Sequence, residues 1–154
     1  MRVRTAASGD VDALARLNAE VQELHRVARP DRYRDAPLGE IADWMKKLLA
    51  DPEVTVLVAG EDEVIGFAVV RRSESPGHTF ALPRLSAIVE ALGVTATAQR
   101  HGAGRALMAA AEELARSWGA VSVVLDVQSF NRGALDFYLA LGYAPSTTRM
   151  AKQL

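Results

Sequence analysis

Apolar residues recur at Val11, Leu14, Leu17, Val21 and Leu24, the three-and-four spacing of one helix face, so a first helix runs to about Leu24 with Ser8 as its predicted N-cap. Residues 2–5 ahead of it read as a short strand. The stretch from His25 to Pro37 combines Pro30 and Pro37 with dense charge and predicts an excursion away from the core. Leu38, Ile41, Met45, Leu48 and Leu49 restore the helical spacing. Residues 54–59 and 64–71 are rich in β-branched side chains and flank the polar turn Gly60-Glu61-Asp62-Glu63, which predicts an antiparallel hairpin. A loop over 73–83, with Pro76, Gly77 and Pro83, leads to a strand over 85–94. From Ala103 to Trp118 the chain is alanine-rich and apolar at Leu107, Ala111, Leu114 and Trp118, a helix that Gly119 ends. The near-continuous apolar run 121–127 predicts a strand buried on both faces. Residues 131–141 give a last helix closed by Gly142, and 143–151 a final strand.

This order, β-α-α-β-β-β-α-β-α-β, predicts an α/β fold: a mixed sheet with helices on both faces. The 154 residues, 49% of them hydrophobic, suit one domain over 1–154 with a single substantial core. Eighteen basic against nineteen acidic side chains leave a net charge of −1, so bulk electrostatics give no reason to expect nucleic acid or an anionic membrane. The absence of cysteine removes disulfides, thiolate metal sites and a cysteine nucleophile. No apolar segment is long enough to span a bilayer and the N-terminus lacks a leader pattern, so a soluble, cytoplasmic protein is expected. His25, His78 and His101 lack ligand spacing, and no Gly-x-Ser-x-Gly elbow occurs, which argues against a metal site or a serine triad.

The segment Gln99-Arg100-His101-Gly102-Ala103-Gly104-Arg105 hands a strand over to the long helix through two glycines. Unpaired N–H groups of a helix's first turn, together with the positive end of its dipole, favour an anion, and glycine lets a phosphate approach the backbone. Arg100 and Arg105 can add charge-assisted contacts. A P-loop would need Gly-Lys-Ser/Thr, which is absent. A dinucleotide-binding fingerprint would need a third glycine where Leu107 stands, and about 50 residues follow, too few for the second half of that fold, so a dinucleotide-binding oxidoreductase stays as a runner-up. A tight turn that merely packs the helix on the sheet remains an alternative.

Gln99-x-x-Gly102-x-Gly104 resembles the loop by which GNAT N-acetyltransferases cradle the pyrophosphate of coenzyme A. Asn131-x-x-Ala134-x-x-Phe137-Tyr138-x-x-x-Gly142-Tyr143 resembles the second block of the same superfamily. The resemblance implies a GNAT-type acyl-CoA N-acyltransferase fold with a mostly antiparallel central sheet, and acetyl-CoA as co-substrate. It implies transfer of the acetyl group to a primary amine by direct attack. Cofactor contacts would come from Gln99, Arg100, His101, Gly102, Ala103, Gly104, Arg105, Asn131, Ala134 and Tyr138, and from the backbone of Leu92 and Val94 on a strand that splays from its neighbour. Tyr138 would be the general acid. A core role for this ring competes with that reading, but its hydroxyl would then need a partner.

Glu90 lies in the otherwise apolar strand Ile88-Val89-Glu90-Ala91-Leu92-Gly93-Val94. Alternation places it on the face of Leu92 and Val94, as a base for the incoming ammonium, a binder of its charge, or a partner to an arginine. The partner implied is a small-molecule amine or a protein amino group, with the 26–34 region resembling the acceptor-specifying segment; a homodimer is compatible. A non-catalytic module that binds coenzyme A is the competing function. The sequence names no acceptor.

Overall fold

The computed structural model describes residues 1–154. Its elements are β1 (Val3–Thr5), α1 (Val11–Ala28), α2 (Leu38–Ala50), β2 (Val54–Ala59), β3 (Gly66–Ser75), β4 (Arg84–Val94), α3 (Ala103–Ser117), β5 (Ser122–Leu125) and α4 (Arg132–Ala140). The five strands form one sheet in the order β1-β2-β3-β4-β5. The first four pair antiparallel, and β5 runs parallel to β4. The expected mixed sheet with helices on both faces is the fold observed.

The strand period of two divides the apolar side chains between two cores. Val56, Val58, Phe67 and Val69 pack with Val11, Leu14 and Leu17 of α1 and Met45 and Leu48 of α2. Their neighbours Leu57, Ala59, Ala68 and Val70 pack with Leu107, Met108, Ala111 and Ala115 of α3, and Phe137 and Tyr138 of α4 join that side. Gly93 sets how closely α1 approaches the sheet. A Cβ there would lie 2.6 Å from Val21 Cγ2 and 2.7 Å from Phe67 Cε1, so α1 and the buried Phe67 ring occupy the space a side chain would take.

Four local expectations change. Ser8 does not cap α1; it opens a short 3-10 turn, and Asp10 accepts the Ala7 N–H at 2.7 Å while binding Arg4 at 2.8 and 2.9 Å. That guanidinium holds Asp10 below the usual carboxylate range. The first helix continues one turn past Leu24 to Ala28, with Glu23 and Arg26 paired three apart along it. The apolar run 121–127 yields only the four residues of β5, which is an edge strand rather than one buried on both faces: Val121 is 72% and Val124 38% exposed. The predicted last strand over 143–151 does not form, because that segment has no ladder partner.

Gly93→Ala should therefore force α1 and Phe67 apart, costing about 1–3 kcal/mol, the usual penalty for overpacking. For a chain of this size the melting temperature should fall by roughly 2–12 °C, measurable by circular dichroism. An unchanged melting temperature would mean that α1 is not seated against β4 as described.

Candidate active site

The site begins with a defect in β4. Val69 of β3 pairs with Ala91, whereas the next residue, Val70, pairs with Val89. Glu90 is thus an extra residue without a partner on β3, a bulge that shifts the strand by half a pleat. Val89, Leu92 and Val94 all face α3, while Ala91 faces α1 and α2. Alternation would have set Glu90 beside Leu92 and Val94, and the bulge overturns that expectation. Its carboxylate instead binds Arg71, Nε to Oε1 at 2.5 Å and Nη2 to Oε2 at 3.5 Å. Arg71 also donates to Asp51, at the end of α2, at 2.9 Å. These bonds push the arginine pKa well up and hold Asp51 below the carboxylate range.

Beyond the bulge, β4 outruns β5. Their pairing ends at Val89 and Leu125, yet β4 continues to Val94. Thr95 N–H donates to the Ile65 carbonyl at 2.9 Å, which fixes the phase of the antiparallel ladder. Gly93 and Ala91 bond to β3, and the N–H and C=O groups of Leu92 and Val94 point the other way, into the gap beside β5.

The gap leads directly to the start of α3. Arg100 is the only non-glycine residue with positive φ, at 66°, and Gly102 follows at 87° as the N-cap. This pair of left-handed residues bends the loop so that the N–H groups of Ala103, Gly104 and Arg105 open outward. Ala106 is the first to close a helical bond, to Gly102 at 2.9 Å. A Cβ on Gly102 would meet nothing within 4 Å, whereas one on Gly104 would lie 3.2 Å from Phe137 Cζ. Gly102 accordingly leaves the approach open, and Gly104 admits the ring of α4 rather than facing free space. Ala103 offers only its backbone, since its side chain is core. His101 Nδ1 lies 2.9 Å from the Gln99 carbonyl and braces the loop. Arg100, Arg105 and Arg132 are exposed, and none forms a salt bridge to a carboxylate.

Tyr138 is fixed by the way α4 begins and ends. Asn131 Oδ1 caps the first turn by accepting the Ala134 N–H at 3.1 Å, so both of these predicted cofactor residues already hold each other. At the other end Gly142, at φ 91°, closes a Schellman motif: Tyr143 N–H donates to the Tyr138 carbonyl and Gly142 N–H to Leu139, both at 3.0 Å. Phe137 and Tyr143 then flank the Tyr138 ring edge-on, at centroid distances of 5.1 and 5.9 Å. Tyr143 donates its hydroxyl to Glu112 at 3.0 Å. The Tyr138 hydroxyl has no such bond, and burial pushes its pKa up to about 12.

Three features escaped the sequence reading. Glu20 of α1 accepts the Ala96 N–H at 2.9 Å and ties the first helix to the segment after β4. Arg71 and Asp51 complete the Glu90 cluster. His25, which looked isolated, stands edge-on to Tyr33 at 5.3 Å and to Phe130 at 5.6 Å, joining the α1–α2 segment to the loop before α4. Glu20, Arg71, Asp51 and Phe130 have no short-range sequence signal, because each meets its partner on a distant element, while Tyr33 lies in the connection that follows α1.

Comparisons with known proteins place this geometry. The acetyltransferase (GNAT) family pattern matches residues 18–143. An aminoglycoside N(6')-acetyltransferase type 1 of Klebsiella aerogenes is 32% identical over 115 residues, 74% of each chain. A mycothiol acetyltransferase of Amycolatopsis mediterranei is 30% identical over 147 residues, 95% of this chain and 47% of that protein. The chain thus spans about half the length of the mycothiol acetyltransferases it matches. Among solved structures, a tetramutant of the BH1408 protein from Bacillus halodurans superposes with a TM-score of 0.95 at 25% identity, over 100% of both chains. An aminoglycoside acetyltransferase from an uncultured soil metagenomic sample shares the fold, with a TM-score of 0.72 at 20% identity over 99% of this chain and 95% of that one. With the family pattern spanning both the glycine loop and the block that carries Tyr138, this chain belongs to the GNAT family of acetyltransferases.

Proposed function

We propose that the protein transfers the acetyl group of acetyl-CoA to a primary amine on a small polar acceptor. The observation that carries this reading is the gap between β4 and β5, where backbone groups of Leu92 and Val94 face an opening next to the N-terminus of α3, with Tyr138 packed on the same core as those two residues. The pyrophosphate of the co-substrate would rest on the N–H groups of Ala103, Gly104 and Arg105, with Arg100, Arg105 and Arg132 supplying charge. Pantetheine would pair with Leu92 and Val94 as a short added strand. The neutral amine attacks the thioester carbonyl carbon, a C–N bond forms, and the oxyanion draws on backbone N–H donors in the gap. Collapse would break the C–S bond as Tyr138 O–H protonates the departing sulfur, while the acceptor nitrogen sheds one proton to solvent to leave a neutral amide and solvent returns a proton to the phenolate. A phenol held near pKa 12 stays protonated throughout the neutral range, as an acid must.

Glu90 is paired with Arg71, and we assign it to holding the acceptor's ammonium together with Asp51 rather than to removing its proton. The relatives named for aminoglycosides and for mycothiol put amino groups of such compounds first in an acceptor panel.

Three measurements test this reading. Calorimetry should find acetyl-CoA binding to the wild type, and Arg105→Glu should weaken it by about tenfold or more, the loss of roughly one charge-assisted contact. No binding by the wild type contradicts the proposal outright. Tyr138→Phe should lower turnover by about 10²–10⁴-fold with cofactor affinity nearly unchanged. The wild-type rate should show no fall from this residue until the pH nears its raised pKa; equal turnover in the variant returns Tyr138 to a packing role. Glu90→Gln should raise the acceptor KM and leave kcat within a few fold. A large loss of kcat that alkaline pH restores would instead make Glu90 the base.

A further inference from the structure

Of the three histidines, His25 is the one whose ring makes no hydrogen bond. His78 Nδ1 accepts the Phe80 N–H at 3.2 Å and His101 Nδ1 lies 2.9 Å from the Gln99 carbonyl, whereas His25 Nδ1 is buried with no partner. Its Nε2 is likewise unbonded but not enclosed. The ring sits edge-on between Tyr33 and Phe130, at centroid distances of 5.3 and 5.6 Å. Enclosing a polar nitrogen without a partner costs stability, so packing alone gives no reason for an imidazole rather than a phenyl ring here.

The course of α1 gives this imidazole a place in the site. The chain enters α1 beside β2, where Ala6 N–H donates to the Val56 carbonyl at 2.8 Å. Leu17 and Val21 then lie over Gly93 of β4. One turn further on the same helix face, His25 meets Phe130, in the connection that leads from β5 to α4. The helix thus crosses the sheet, and its last turns reach from Gly93 to Phe130, which stand on the two sides of the gap where β4 outruns β5.

The charged groups around the ring leave it free to act. On α1 and the connection after it, Glu23 pairs with Arg26 and Arg29 with Asp31. Tyr33 is the titratable side chain whose ring touches His25. Beside Phe130, Asp126 and Arg132 carry the charge, and neither forms a hydrogen bond or salt bridge to the imidazole.

We propose that His25 is the base that removes a proton from the acceptor's ammonium. The inference rests on the acetyl-transfer reading and supplies the step that Glu90, bound to Arg71, leaves unassigned. One N–H bond of the ammonium breaks and its proton passes to His25 Nε2, since Nδ1 is enclosed. The nitrogen keeps the electron pair with which it attacks the thioester carbon, and the imidazolium gives its proton to water before the next turnover.

The test is the pH profile of acetyl transfer to kanamycin, followed by thiol release, for the wild type, His25→Gln and His25→Phe. Calorimetry with acetyl-CoA and melting by circular dichroism accompany it. His25→Phe keeps a ring between Tyr33 and Phe130, so a loss of activity at an unchanged melting temperature is not a loss of fold. Both variants should lose about 10²–10⁴-fold in kcat/KM at neutral pH and bind acetyl-CoA as the wild type does. The deficit should shrink as the pH rises, because more of the amine is then already neutral. Variants that stay within a few fold of the wild type at neutral pH overturn the proposal. A loss of equal size at every pH overturns it too, since that is the mark of misplaced packing. A wild type that does not bind acetyl-CoA would instead bring down the acetyl-transfer reading itself.

Discussion

Backbone N–H and C=O groups in a folded protein must find partners, and the candidate site lies where this sheet withholds them from one another. Two features of β4 act together. The extra residue at Glu90 shifts the phase of the strand, so that Leu92 and Val94 keep their side chains on α3 while Glu90 turns to Arg71. The early end of β5 at Leu125 then leaves the outward backbone groups of those two residues without a neighbour. Both residues are only half-buried, so water can meet these groups until a strand-like ligand takes its place. The remainder of the fold holds the opening in place: α1 seated on Gly93, α3 starting at its edge, and α4 closed by the Tyr143–Tyr138 bond on its far side.

Much of this was legible in the sequence, and the parts that were not share a physical origin. β2 falls where the β-branched run 54–59 placed it, and α3 begins at Ala103, after the glycine that permits a left-handed N-cap. Those signals are local. The bulge is invisible because one inserted residue leaves the strand apolar on either side of Glu90, and only pairing with β3 reveals the shift. The segment 121–127 read as a strand buried on both faces because its composition is that of a central strand, whereas its position at the edge depends on what fails to pair with it. The segment 143–151 has strand chemistry and no ladder, for the same reason seen from the other side.

The glycine loop separates two effects that sequence spacing merges. Gly102 and Gly104 both suggested room for a phosphate. One provides a left-handed cap with open space, and the other makes room for Phe137, so that α3 and α4 meet closely and Tyr138 packs on the same core as Leu92 and Val94. Asn131 likewise spends its side-chain oxygen on the first turn of its own helix, which caps α4.

The claim that the gap in the sheet receives the co-substrate is tested most directly by following individual backbone amides with and without coenzyme A, by NMR chemical shift and hydrogen exchange. The account predicts that the amides of Leu92 and Val94 shift and become protected on binding, together with those of Ala103, Gly104 and Arg105, while Ala91 and Gly93, already bonded to β3, change little. Binding that leaves Leu92 and Val94 unaffected would contradict it.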